Sequence, residues 1–346
     1  MIVDNEVKLD YSDVLIVPRE SELTSRAQVD LNIDHYGKPV VPIIAANMDG
    51  VGTFAMAKKL AKYKMMTALL KHYSLEDLTE FYSDEDSRYT FYSMGTNEDD
   101  YNKFVEFDRL LSTNDLHAPI GICIDVANGY TRSFETFVTK MSENYPSYVL
   151  MVGNVVTPER TERLIEAGAD IVKIGIGPGS VCTTRRLAGV GYPQFSAVLE
   201  CAAAADAAGG SIVADGGITC PGDAAKAFAA GAKYVMLGGM LAAHEEGLPE
   251  DHKDKSLYMS NVPFYGMASK AAQEKYNGGV AEYRASEGKE VILKYRGPVD
   301  DTVKELLGGI RSACTYLGAE DISQMHRRAK FVKVNRVLNN VFGNVI

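Results

Sequence analysis

Short apolar runs recur along most of the chain, each stopped by glycine or a polar residue and followed by a stretch of helical pattern. Pro42–Asn47 leads into a helix over Thr53–Lys62, Met65–Leu70 stops at Lys71, Thr90–Met94 at Gly95, and Ile120–Ile124 at Asp125. Tyr148–Val152 ends at Gly153-Asn154, Ile171–Ile176 at Gly177, Ser211–Ala214 at Asp215-Gly216-Gly217, and Tyr234–Leu237 at Gly238-Gly239. Pro158–Ala167, Phe195–Ala208 and Pro221–Ala230 read as helices between them. Strands alternating with helices predict parallel βαβ units. Eight such strands predict an α/β fold closed into a TIM-type (β/α)8 barrel, with an open doubly wound sheet as the alternative.

In such a barrel the chemistry gathers at the C-terminal strand ends. Those ends carry Asn47, Asp49, Lys71, Asp125, Asn154, the loop from Gly175 to Thr184, Asp215 and Gly239. Any one of them could simply terminate a strand; together they make a site. The chain is expected to form a single barrel domain over 1–346, with residues 1–40 an extension packed on it. The segment 255–298, rich over Asn261–Pro298 in Gly, Lys, Glu and Tyr, is expected to be a mobile flap over the barrel mouth, ahead of a final helix around Val303–Leu307.

The 346 residues are 46 % hydrophobic and 24 % charged, as expected of a soluble globular chain with a large core. A formal net charge of −10 leaves no global basic field, which argues against nucleic acid and anionic membranes as partners. It leaves room for a small anion, because a few backbone N–H groups suffice to hold a phosphate. The first residues, Met1 to Glu6, lack the form of a signal peptide, and no run of ~18 apolar residues occurs. Five scattered cysteines form no CxxC pair, so neither a disulfide framework nor a zinc site is expected, and the chain reads as cytoplasmic.

One cysteine stands apart. Gly175-Ile-Gly177-Pro-Gly179-Ser180-Val181-Cys182-Thr183-Thr184-Arg185 follows a predicted strand, so the thiol sits among hydroxyls, beside an arginine, at the active face. The thiolate form of cysteine is a strong nucleophile. Cys123, Cys201, Cys220 and Cys314 lack that setting and are expected to be buried, inert thiols.

The string GIGPGSVCTTRRLAGVGYPQ (175–194) resembles the active-site loop of the IMP dehydrogenase/GMP reductase family. The resemblance continues through AANMDGVGTF (45–54), LKHYS (70–74), DVANGY (125–130), GNVVTPE (153–159), DGGITCPGDAAKAF (215–228), VMLGGMLA (235–242), FYGMAS (264–269), AEYRASEGK (281–289) and GGIRSACTY (308–316). It implies a purine nucleotide substrate and a covalent thioimidate between Cys182 and purine C2. The phosphate is then expected on Ser180, Gly216, Gly217, Gly238 and Gly239, the two glycine pairs each preceding a helical stretch. Asp215 is expected to accept from the ribose hydroxyls. The base falls to Gly266, Met267, Ala268, Arg284, Ser286, Glu287 and Gly288. Ala268 stands where reductases of the family commonly have serine, which removes one side-chain hydrogen bond to the base.

Two activities share this chemistry, and three features of the chain resemble the reductive one. No regulatory insert interrupts the chain after Lys71-His72-Tyr73-Ser74, the flap reads Ala281-Glu-Tyr-Arg-Ala-Ser-Glu287-Gly-Lys289, and Tyr192 follows Gly189-Val-Gly. The expectation is therefore NADPH-dependent reductive deamination of GMP to IMP and ammonia, with Cys182 as nucleophile and Thr184 and Glu287 handling protons. An IMP dehydrogenase without its regulatory module, or a non-catalytic nucleotide-binding barrel, are the alternatives. No GxGxxG occurs in a dinucleotide-binding context, so the hydride donor must dock on barrel loops. The resemblance implies Lys71, Asp125, Val126, Ala127, Ser180, Val181, Met267, Tyr283 and Arg284 for it, with Ser25, Arg26, Ser312, Ala313, Cys314 and Thr315 from a neighbouring subunit of a homotetramer. It also implies a monovalent cation, K⁺, at Gly177, Gly179, Cys182 and Arg185.

Overall fold

The computed structural model describes residues 3–249, 261–279 and 285–335. All eight expected strands are present: β1 (Ile43–Ala45), β2 (Met66–Ala68), β3 (Thr90–Met94), β4 (Gly121–Asp125), β5 (Leu150–Val155), β6 (Ile171–Ile174), β7 (Ser211–Asp215) and β8 (Tyr234–Leu237). They pair in parallel in chain order, and β8 pairs with β1 (Val235 opposite Ile43), closing the barrel and excluding the open sheet. Their residues are nearly all buried because helices cover the outside and side chains fill the inside, which is why they read as apolar runs without polar alternation.

The helices start where local chemistry lets them. Thr53 accepts the Met56 N–H (3.1 Å) ahead of α1 (Phe54–Ala61), and Ser74 and Asp77 form a reciprocal capping box on α2 (Leu75–Phe81). Asn97 caps α3 (Glu98–Thr113) and Thr131 caps α4 (Arg132–Asn144). Proline opens both α5 (Pro158–Glu166) and the helix Pro221–Ala229, where its missing N–H costs nothing. The remaining α-helices among the described residues are the short α6 (Thr184–Leu187), α7 (Gln194–Ala207), α8 (the Pro221–Ala229 helix), α9 (Lys270–Asn277), α10 (Asp300–Leu317) and the short α11 (Met325–Arg328). α10 packs on α8 and so completes the outer ring.

Between β8 and α10 the chain leaves the barrel. Val262–Tyr265 and Glu290–Leu293 pair antiparallel, with Tyr265 opposite Glu290, and α9 rises between them. One local expectation fails: Gly238-Gly239 is followed by successive turns and a 3₁₀ turn at Glu245–Gly247, not by a helix. Among the described residues no helix is long and apolar enough to cross a membrane.

At the N-terminal end of the barrel a hairpin, Ile33–His35 with Lys38–Val40, turns through Tyr36 and Gly37, both at positive φ (48° and 88°). It seats His35, only 1 % exposed, with Nδ1 2.9 Å from the Tyr234 hydroxyl and its ring edge-on to Phe91. Burial pushes the His35 pKa down to about 4. Its folded value thus lies below its unfolded value of about 6.5, so below pH 6.5 the unfolded chain takes up a proton that the folded chain refuses. The expected result is a stability loss from this one group of about 3 kcal/mol between pH 6.5 and 4. Melting temperatures of the parent and His35→Gln across that range should converge as pH falls, and parallel curves would contradict the assignment.

Candidate active site

The loop after β6 is shaped by close approach. Gly175 lies so near β7 that a Cβ on it would fall 2.0 Å from the Asp215 carbonyl oxygen. The chain then turns back, Cys182 N–H donating to the Gly179 carbonyl (3.0 Å), and α6 begins at Thr184. This turn presents Cys182, partly exposed, at the barrel mouth.

Across from it lies the returning limb of the flap. Cys182 and Gly288 form an antiparallel bridge, Lys289 N–H donates to the Val181 carbonyl (2.9 Å), and Thr183 N–H to the Glu287 carbonyl (3.3 Å). The bridge aligns three functional groups in one chain: Cys182 Sγ donates to Thr184 Oγ1 (3.3 Å), which donates to Glu287 Oε2 (2.7 Å). Residues 103 positions apart thus meet as a nucleophile, a relay hydroxyl and a carboxylate. Such an arrangement can carry a proton away from the thiol and return it to a leaving group. The arginine set beside this cysteine in sequence is used elsewhere, because Arg185 binds Asp10 (3.1 Å) and the Tyr192 carbonyl (2.6 Å).

The expected phosphate residues converge beside the cysteine loop. A Cβ on Gly239 would sit 2.9 Å from Ser180 Oγ, and one on Gly216 would sit 3.2 Å from the Gly179 nitrogen. Gly216 and Gly217 both have positive φ (91° and 78°), which suits glycine and turns the β7–α8 loop toward Pro178. Since no helix follows Gly238-Gly239, donors on that side come from turn N–H groups. Asp215 ends β7, where Asn154 Nδ2 donates to it (2.9 Å). Gly266 packs against the Val181 carbonyl and Gly288, bringing the segment 266–268, expected at the base, beside the cysteine loop.

Met267 Sδ accepts the Asp49 N–H (3.4 Å), and the Asp49 carboxylate gathers Lys275 Nζ (2.6 Å), the Tyr276 hydroxyl (2.8 Å) and the Tyr265 hydroxyl. Burial works against the charge of Asp49, but these three donors outweigh it and hold its pKa below the usual carboxylate range. Tyr276 also stacks on His72 at 3.8 Å. Asp49 therefore fastens α9 to the barrel rim, a role that its position at a strand end did not disclose. Ser269 adds the cap, accepting from Ala272 N–H (3.2 Å).

Toward β2–β4 the mouth carries Lys71, which pairs with Asp100 (3.2 Å), and Asp125, whose side chain is 37 % exposed. A cationic donor beside a carboxylate acceptor matches the acceptor and donor of a carboxamide, so these residues fit a nicotinamide. Val126 and Ala127 follow Asp125 directly in the chain, whereas Val181 stands beside Cys182 in the loop after β6. Tyr283 and Arg284 lie outside the described residues. The other expected group is assembled apart from this mouth: the turn Arg26–Gln28, capped by Ser25, packs on α10, which carries Ser312, Ala313 and Thr315 partly exposed. Cys314 faces the core instead, fully buried, so its side chain cannot reach a ligand there. Of the residues named for a cation, Gly177, Gly179 and Cys182 lie in the turn before α6, whose backbone carbonyls are oxygen donors of the kind K⁺ takes, and Arg185 lies in the first turn of α6.

Burial pushes the thiols of Cys123, Cys201 and Cys314 up to about 12, as expected of inert cysteines. Cys220 departs from expectation, since it is exposed at the start of α8. Sequence reasoning missed Lys173, which is 2 % exposed inside the barrel with its Nζ on Asp125 and 3.3 Å from Asp215. Its signal was available: a lysine within Ile171-Val-Lys-Ile174 is a charge in a buried strand and must find partners.

Comparison with known proteins matches residues 93–338 to the model of the IMP dehydrogenase / GMP reductase domain. Over 99 % of both chains, this one is 52 % identical to the GMP reductase of Aeromonas hydrophila. It is 50 % identical to that of Vibrio cholerae and 49 % identical to that of Photobacterium profundum over the same share.

Proposed function

Because this chain belongs to the IMP dehydrogenase/GMP reductase family, we propose that it is an enzyme catalysing GMP + NADPH + 2H⁺ → IMP + NADP⁺ + NH₄⁺. The observation that carries this reading is the hydrogen-bonded series Cys182–Thr184–Glu287, with Gly216 and Gly239 approaching the same loop at Gly179 and Ser180.

Cys182 gives up its proton through Thr184 to Glu287, and the sulfur adds to C2 of GMP. A C2 amine leaves as ammonia only if it is protonated, because the amide anion is too basic to depart. Glu287, having taken the thiol's proton, returns one through Thr184 to that nitrogen, acting as base on the way in and as acid on the way out. The carbon–nitrogen bond breaks and C2 remains bound to sulfur. When bound, NADPH supplies the hydride that replaces the lost amine at C2. Cys182 then leaves as thiolate, and IMP is released.

Ser180 with Gly216, Gly217, Gly238 and Gly239 holds the 5′-phosphate, and Asp215 accepts from the ribose hydroxyls. Gly266, Met267, Ala268, Ser286 and Gly288 flank the base. Lys71 and Asp125 orient the carboxamide of the cofactor. Ser25, Arg26, Ser312, Ala313 and Thr315 complete the dinucleotide site of a neighbouring subunit in a homotetramer. Gly177, Gly179, Cys182 and Arg185 would hold K⁺, which would steady the backbone around Cys182. The enzyme is assigned to the cytoplasm and to purine nucleotide salvage.

The test is spectrophotometric. Reduced-cofactor absorbance should fall with GMP plus NADPH and stay unchanged with IMP plus NAD⁺. Production of NADH from IMP would replace this reading with a dehydrogenase, and no change with either pair would leave a binding protein.

A further inference from the structure

β6 places one charged residue in a wholly buried strand. Lys173 is 2 % exposed, and the neighbouring β5 makes room for it at Gly153, where a Cβ would fall 2.5 Å from the Lys173 Cβ. A buried ammonium without partners would cost several kcal/mol. Here two carboxylates converge on it from the strands that flank β5 and β6: Asp125 at the end of β4 and Asp215 at the end of β7, the latter at 3.3 Å. Asn154 Nδ2 donates both to Asp215 Oδ2 (2.9 Å) and to the Gly175 carbonyl (2.9 Å), tying the pair to the cysteine loop. Desolvation opposes the charge of Asp125, but Lys173, with Asn47 and Lys71, overcomes it and holds its pKa below the usual range.

We propose that Lys173 is a positioning residue shared by the two ligand subsites: its single buried ammonium holds Asp215 ready for the nucleotide ribose and Asp125 ready for the cofactor. The proposal rests on the assignment of those two carboxylates made above and goes beyond it by making the subsites interdependent. Without the ammonium, two partly exposed carboxylates face each other across the buried Lys173 position, and like charges this close repel. Asp215 then turns away from Asp125, and the ribose loses its acceptor. Neutralising Asp125 relieves the repulsion and lets Asp215 return.

This predicts a reversal of sign that simple packing does not. GMP binding to the full-length enzyme is measured by titration calorimetry for the parent, Lys173→Met, Asp125→Asn and the double variant. Lys173→Met should weaken GMP binding by about tenfold, while Asp125→Asn alone should change it by less than about threefold. In the double variant Asp125→Asn should restore GMP binding by about threefold or more relative to Lys173→Met alone. Additive losses, with no restoration, would overturn the proposal and leave Lys173 as packing. If the parent itself binds no GMP, the nucleotide assignment fails, and the charge pairing is then read from melting temperatures of the same four proteins. There Lys173→Met should lower the midpoint and Asp125→Asn should recover part of the loss. The same reading applies if Lys173→Met does not accumulate folded, and a double variant that is equally unfolded would overturn the proposal.

Discussion

Replacing Cys182 with alanine is expected to lower kcat by about 10⁴-fold or more while GMP binding changes by no more than about threefold. The split follows from the geometry. Cys182 sits on its own turn, held by the Gly179 carbonyl and by the bridge to Gly288, both of which are backbone contacts that alanine preserves. Gly216 and Gly239, proposed to hold the phosphate, approach Gly179 and Ser180 rather than the sulfur. Chemistry therefore disappears without disturbing the nucleotide site. Steady-state turnover and equilibrium titration with GMP, run on the same preparation, check both halves. Turnover within tenfold of the parent would remove covalent catalysis from the mechanism.

Glu287→Gln should lower kcat by about 10²- to 10⁴-fold with a much smaller change in KM for GMP. Glutamine keeps the size of the side chain and an oxygen to accept from Thr184, so the 2.7 Å contact can survive. What it cannot do is accept a proton and give it back. The thiol then lacks its base, and the C2 amine lacks its acid. Release of ammonia should fail in step with oxidation of NADPH, and both are measured in one assay. Full turnover in this variant would show that some other group protonates the leaving amine. Thr184→Val, which breaks the relay between sulfur and carboxylate, should mimic the loss.

Most of the scaffold was legible because a buried parallel strand leaves a simple trace. Thr90–Met94 and Tyr234–Leu237 match their predicted bounds residue for residue, since both are wholly buried and both end abruptly at glycine. Boundaries drifted where apolar residues continue past the hydrogen-bonded ladder, as in Met65–Leu70, of which only Met66–Ala68 is strand. Cys182, Thr184 and Glu287 were legible through the resemblance of their loop and flap strings. Their proximity was not, because nothing local in either string states that residues 182 and 288 pair.

What escaped was mainly long-range electrostatics. Asp49 looked like another strand terminus, and only the fold brings Tyr265, Lys275 and Tyr276 to it. Lys173 was hidden in an apolar run whose two counter-charges lie 48 residues before it and 42 after, on the strands that flank β5 and β6. The glycine pair Gly238-Gly239 misled in the other direction. Its likeness to Gly216-Gly217 suggested a helix behind it, but the chain uses those residues to leave the barrel toward the flap.

The central claim is that this barrel removes the C2 amine of GMP at the expense of NADPH. The most direct measurement is the stoichiometry of a single reaction mixture, in which GMP consumed, IMP formed, NADPH oxidised and ammonia released are quantified together. The account predicts equal amounts of all four, abolished together by Cys182→Ala. Oxidation of NADPH without ammonia, or ammonia without IMP, would contradict it.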